Sequence, residues 1–233
     1  MNVGASDIHT FVQETLHTLL NNVCEGFEDG ELAYLSSQGK NELQIRDKIA
    51  WRLHNLIKKF GDQYVVCREW SPKDFGRAKV DFAVLELNTN RDDVISVIAL
   101  IEFKAQSIVK KEKWYLDEFE HDLKKMKGLV DGASICKNAD MYFIFLETGQ
   151  ERKVDEYRPI IAYSNYLTSN VKYRTDSDYI SAIQSYWEEF NDKLITPVKI
   201  QEPQAICIGE SYGYKQYISP LIIGPLKITD IKQ

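Results

Sequence analysis

Apolar residues recur along the chain at two periods, one helical and one of alternating strand type, and the period changes at definite places. Ile8, Phe11, Val12, Leu16, Leu19 and Leu20 keep helical spacing, which predicts a helix over 6–23 opened by Ser6 or Asp7. A polar, Gly-containing stretch over 25–39 follows, with a short apolar turn at Leu32–Leu35. Ile45, Ile49, Leu53 and Leu56 form one stripe of a second helix over 41–60, ended by Gly61. Three strand-like segments come next, 63–70, 79–87 and 94–104. The turn-rich hexapeptide Asn88-Thr89-Asn90-Arg91-Asp92-Asp93 joins the last two, so they read as a hairpin or as adjacent strands. A charged helix over 115–130 leads to Met141–Leu146, a continuous apolar run of the kind a strand covered on both faces carries. Residues 155–174 mix short apolar runs with polar turns, 177–194 has a helical pattern, and 205–231 alternates β-like runs with Gly and Pro.

That order of elements predicts a mixed α/β sheet flanked by helices, in one domain over 1–233. Its core lies at about 41–147, preceded by the 6–23 helix and followed by a C-terminal, β-rich elaboration over 150–233. The chain is 44% hydrophobic and 27% charged, enough for a sizeable core and unlike a disordered chain. Cys24, Cys67, Cys136 and Cys207 lie far apart with no CxxC pair, so they read as reduced thiols rather than as a zinc site or a disulfide framework. The apolar surroundings of Cys67, Cys136 and Cys207 predict burial. The N-terminus lacks a basic start before an apolar run, and no apolar stretch reaches the length of a membrane span. A cytoplasmic location away from membranes is the expectation.

The most informative segment is Val94-Ile95-Ser96-Val97-Ile98-Ala99-Leu100-Ile101-Glu102-Phe103-Lys104, an almost wholly apolar strand that ends in two charges. Side chains alternate along a strand, so Glu102 and Lys104 point the same way. Charges at the end of a buried strand are costly unless paired or binding something. Asp81, 21 positions before Glu102, is a lone carboxylate opening an apolar strand of its own. Pairing counted from the turn centre places Asp81 opposite Leu100, two positions short of Glu102. Carboxylates held so close repel each other, and a divalent cation relieves that repulsion. Mg2+ prefers carboxylate, carbonyl and water oxygens. Asp81, Glu102 and the Phe103 carbonyl are its candidate ligands, with Lys104 aimed at the attacking water or the phosphate charge.

Asp81 followed by Glu102-Phe103-Lys104 at the end of an apolar strand resembles the PD-(D/E)xK nuclease superfamily, the restriction-endonuclease-like group. The resemblance covers about 41–147 and implies an αβββαβ core. It also implies a Mg2+-dependent endonuclease, with Mn2+ as a substitute ion, acting on DNA in restriction or phage defence. A homodimer fits cleavage of both strands of a twofold-symmetric site. Family members often carry a Glu on the first core helix facing the metal. Glu42 shares the face of Ile45, Ile49 and Leu53, whereas Asp47 points away. The nominal Pro is absent, and Val80 precedes Asp81. Gln106 continues the motif's face if the strand runs on, as a phosphate contact.

Plainer readings stand beside these. A second Glu-x-Lys triplet, Glu151-Arg152-Lys153, has no apolar strand leading into it and reads as solvated surface. Glu42 also suits a first-turn carboxylate favoured by the helix dipole. The four scattered histidines suit packing or surface roles better than metal binding. Lys110 to Lys127 interleave with acidic residues, as a solvated, salt-bridged helix face does. Arg68, Lys73, Arg77 and Lys79 have fewer acidic neighbours. With Trp70 and Phe75 as aromatic surface, the 69–79 loop is the preferred substrate contact, against an ordinary solvated loop. The net charge of −6 argues against broad non-specific nucleic-acid binding but not against a local basic surface. A non-catalytic module binding nucleic acid or protein, and an RNA nuclease using the same site, are the rival functions.

Overall fold

The helical stripe at the start of the chain becomes α1, Ala5–Asn21, and the stripe after residue 41 becomes α3, Glu42–Ile57. The computed structural model describes residues 5–37, 41–73, 75, 78–107, 112–150, 188, 205–211 and 214–230. Where an apolar turn was expected near Leu32, a short helix α2 forms instead, Glu31–Ser37. Glu31 sits in its first turn, and the Glu31 carboxylate accepts the Glu28 N–H at 2.9 Å, which closes the turn leading in. The chain leaves α3 through a 3-10 turn, Lys58–Phe60, and turns at Gly61 with φ of +136°, a conformation that favours glycine.

The strands are β1 (Tyr64–Trp70), β2 (Val80–Leu87), β3 (Val94–Ser107), β4 (Asp140–Gln150), β5 (Ile206–Ser211) and β6 (Tyr214–Leu226), with helix α4 (Glu112–Gly132) between β3 and β4. They form one mixed sheet in the order β1-β2-β3-β4-β6-β5. Only β3 and β4 pair in parallel among these neighbours, and α4 is the crossover that such a pair needs. The class is therefore mixed α/β, as the pattern of elements implies. The helix expected at 177–194 and the mixed segment 155–174 fall outside the described residues, apart from Glu188.

Each face of the sheet carries its own core. On one face, Val97, Leu100, Phe143 and Phe145 pack against Phe119, Met126 and Leu129 of α4. On the other, Phe82, Ile101, Phe103, Tyr142 and Ile144 pack against Val12 and Leu16 of α1 and Ile49 and Leu53 of α3. The unbroken apolar run of β4 follows, because both its faces are covered. Among the described residues no helix is long and apolar enough to cross a membrane. Cys136 is buried, but Cys207 is exposed, contrary to expectation, because β5 is an edge strand.

The β2–β3 hairpin departs from simple counting. Its loop end pairs Leu87 with Val94, a register that carried onward sets Asp81 against Leu100. The register then shifts twice, between Glu86 and Leu87 and between Val84 and Leu85. Ile95 and Ile98 of β3 are each left without a partner, as in a β-bulge. Beyond them Ala83 pairs with Leu100 and Phe82 with Ile101, so the next position sets Asp81 against Glu102.

Candidate active site

β3 extends past the start of β2, and that overhang builds the site. In a continuous ladder its N–H groups on the β2 side would find carbonyls. Here the Phe103 N–H is accepted by Asp81 Oδ2 at 2.7 Å, and the Ala105 N–H by Glu42 Oε2 at 2.7 Å. Residues 103 and 105 are two apart and share an edge of the strand. Carboxylates from β2 and from the first turn of α3 thus dock side by side on one stretch of backbone. The Phe103 carbonyl leaves β3 on that same edge.

Glu102 and Lys104 point to the opposite layer, toward α4, as their alternation requires. Lys125 Nζ lies 2.5 Å from Glu102 Oε1, a close ion contact rather than an aligned hydrogen bond, and 3.0 Å from Asp122 Oδ1. Lys104 Nζ lies 3.2 Å from the other Asp122 oxygen and 3.2 Å from Glu118. The 118, 122, 125 spacing puts these three on one face of α4. Asp122 is fully buried. The charged face of α4 is therefore not wholly solvated: Lys124 is exposed, but Asp122 and Lys125 turn inward to the sheet.

A third cation closes the other side. Arg46, one turn beyond Glu42 and buried, reaches Asp81 Oδ1 at 2.8 Å and Glu69 at 2.8 Å. Asp47 lies at the outer rim, 2.8 Å from Arg68. Neither Arg46 nor Lys125 was singled out by motif. Each side of the site left a trace in the sequence, since Arg46 interrupts the Ile45–Ile49 stripe and Asp122, the partner of Lys125, interrupts the stripe of Phe119 and Met126.

Burial, and after it the charges of Asp81 and Asp122, push the Glu102 carboxyl up to about 8 despite the nearby Lys125. Glu42 is raised by burial and then by Asp81, against the pull of the Ala105 N–H, Lys104 and Arg46. Burial works to lower the Lys104 ammonium, but Asp122 and Glu118 outweigh it and hold it above its ordinary range. Lys104 is thus a fixed cation at neutral pH. The site is a crowd of carboxylates, Glu42, Asp81, Glu102, Glu118 and Asp122, around the fewer cations Arg46, Lys104 and Lys125.

The residues expected to contact substrate divide. Arg68 stands at the rim through Asp47. Lys73 does not come to the site: it is 89% exposed, and its ammonium lies 3.9 Å from Asp93, at the loop end of the hairpin. Lys79 is exposed. Arg77 and the side chain of Gln106 lie outside the described residues, although β3 does run on through Ser107, with Gln106 opposite Glu147. Trp70 and Phe75 are not aromatic surface. Both pack into the α4-side core, and the Phe75 ring fills the space a Cβ on Gly132 would take.

Asp81, Glu102, Glu42 and the Phe103 carbonyl offer oxygen alone, the donor set of a hard divalent ion, and the mutual repulsion of the carboxylates suits one. Among the described residues, however, no group of three His, Cys, Asp or Glu side chains is already arranged around a common point for an ion. Asp81 and Glu102 are turned instead to Arg46 and Lys125. Comparison with protein-family models, with curated proteins and with solved structures finds no match to this chain.

Proposed function

We propose that the chain is a Mg2+-dependent nuclease of the PD-(D/E)xK type, hydrolysing phosphodiester bonds of DNA, with Asp81, Glu102 and Lys104 at its centre. The observation that carries this reading is the seat of Asp81 on the Phe103 N–H, one position past the Phe82–Ile101 pair and so next to Glu102, beside the strand that presents Lys104. Asp81, Glu102 and the Phe103 carbonyl would hold the ion, with Glu42 beside them. When bound, such an ion neutralises charge developing on the phosphate and acidifies a water. Lys104, kept charged by Asp122 and Glu118, donates hydrogen bonds to the phosphate or the attacking water and does not act as a base. Arg46 fixes Asp81 by one oxygen, which leaves that carboxylate little freedom to swing away.

A non-catalytic module is the second reading. It is favoured by the finding that Asp81 and Glu102 each already face a basic partner, Arg46 and Lys125. Incubation of the purified protein with plasmid DNA and with RNA, in Mg2+, Mn2+ or chelator, separates the two. The nuclease reading expects metal-dependent nicking, reduced by about 10²–10⁴-fold in Asp81→Ala and Lys104→Ala. Cutting that survives both substitutions overturns the site. Binding of nucleic acid without cutting in any metal supports the module. Cleavage confined to RNA keeps the site and changes the substrate.

A further inference from the structure

Lys125 has two carboxylate partners of unequal standing. Glu102 belongs to the proposed ion site, whereas Asp122 is buried and divides its two oxygens between Lys125 and Lys104. We propose that Lys125 is a resident counter-ion of Glu102 that a divalent ion displaces, and that Asp122 retains the freed ammonium beside Lys104. The proposal rests on the nuclease reading, because it names the competitor at that same site.

The argument is one of charge and reach. The Glu102 side chain is 4% exposed, and a bare carboxylate there is costly, so something positive must face it whenever it is ionised. Lys125 fills that role in this structure. An ion ligated by Glu102 and an ammonium 2.5 Å from the same oxygen cannot share the space without strong repulsion. A lysine suits the exchange better than an arginine: its charge is compact and sits on a flexible stem. The Lys125 side chain is itself 19% exposed, against 4% for Glu102, so it is less tightly enclosed than its partner. Release from Glu102 does not orphan it, because Asp122 Oδ1 already holds it at 3.0 Å. Arg46 differs. Its guanidinium spans Asp81 and Glu69 from a 5% exposed position and stays as a fixed part of the wall. After the exchange, both oxygens of Asp122 still carry an ammonium, and Lys104 and Lys125 stand as a pair of cations next to Glu102.

The experiment is calorimetric titration of the full chain with Mg2+ and with Ca2+, which needs no turnover. The variants are Lys125→Met, Glu102→Gln and Lys124→Met, the last removing an equal charge from the exposed neighbour. Thermal unfolding shows that each is folded, with Lys125→Gln as a second version if the Met variant is not. The expected result is roughly tenfold tighter binding in the Lys125 variant, little change in Lys124→Met and loss of binding in Glu102→Gln. In the wild-type protein, NMR of lysine Cε groups is expected to show the Lys125 signal moving on Ca2+ addition. Unchanged or weaker binding in the Lys125 variant, with wild-type binding still dependent on Glu102, overturns the exchange and leaves the nuclease reading standing. Equal gains in Lys125→Met and Lys124→Met reduce the effect to net charge and also overturn it. No ion binding by the wild-type protein removes both.

Discussion

Asp81 accepts the main-chain N–H of Phe103 at 2.7 Å, a bond that an uninterrupted sheet would give to a carbonyl of the neighbouring strand. A side chain stands where backbone would otherwise be, at the point where β2 begins and β3 runs on alone. Its other oxygen is held by Arg46, so both ends of the carboxylate are tied down before any ligand arrives.

Arg46→Met leaves Asp81 close to Glu102 and Glu42 with no nearby guanidinium. Breaking a buried pair typically costs about 3–5 kcal/mol, and the lower end applies because Asp81 and Glu69 keep some contact with water. Denaturant unfolding measures the loss. Ca2+ is expected to raise the melting temperature of this variant by more than it raises that of the wild-type protein, because the ion then replaces the charge that Arg46 supplied at Asp81.

The Glu102 carboxyl sits at about 8 in the folded chain against 4.5 in an ordinary setting, raised by burial first. The folded state therefore holds that proton more tightly than the unfolded chain. The resulting stability is complete below about pH 4.5 and is lost as pH climbs through about 8. Unfolding free energies measured in chelator across that range are expected to fall, and Glu102→Gln to flatten the decline. A wild-type profile already flat between those limits contradicts this account.

Asp140 opens β4 and ties the N-terminal helix to the sheet. It lies 2.6 Å from His9 Nδ1 of α1 and 2.6 Å from Lys227 Nζ. Burial works to raise the Asp140 carboxyl, but His9 and Lys227 outweigh it and hold it below the usual range. Its contribution is present above the ordinary carboxylate pKa and vanishes as acid titrates the folded group. Asp140→Asn is expected to cost about 1–3 kcal/mol at neutral pH. Hydrogen exchange is expected to quicken first in α1, with the site carboxylates undisturbed.

Deletion of Ile95 tests the hairpin. This residue is 52% exposed and has no partner in β2, so its removal straightens the ladder near the turn without altering the Phe82–Ile101 pair. The deletion variant is expected to bind Ca2+ within about twofold of the wild-type protein. A large loss of affinity means that the bulge does more than adjust the register.

Those bulges mark the boundary of what could be read from sequence. Among the described residues, the positions of β1 to β4 and of the helices α1, α3 and α4 followed from apolar spacing, and Glu102 and Lys104 fell on one face because a strand alternates. Ile95 and Ile98 look like any other strand residues, so counting from the turn missed the Asp81–Glu102 alignment by two positions. The partners were harder still. A motif names the groups that do chemistry, not those that neutralise them, and Arg46 and Lys125 come from helices whose rotation about their axes only packing decides. The 69–79 loop misled for a related reason: Phe75 is drawn into the core at Gly132, and Lys73 follows it away from the carboxylates. The exposed Cys207 reflects strand order, which local apolarity does not encode.

One row of the sheet runs from Ser107 to Thr148, then Ile218, then Ile206, just beyond Lys104. Strand β4 ends there and β5 begins there, two strand spacings away, roughly 10 Å. The end of β4 and the start of β5 therefore lie on the same rim of the sheet as the carboxylates. About three or four extended residues would span that gap, so the strand pairing by itself does not fix how long a connection between the two ends must be.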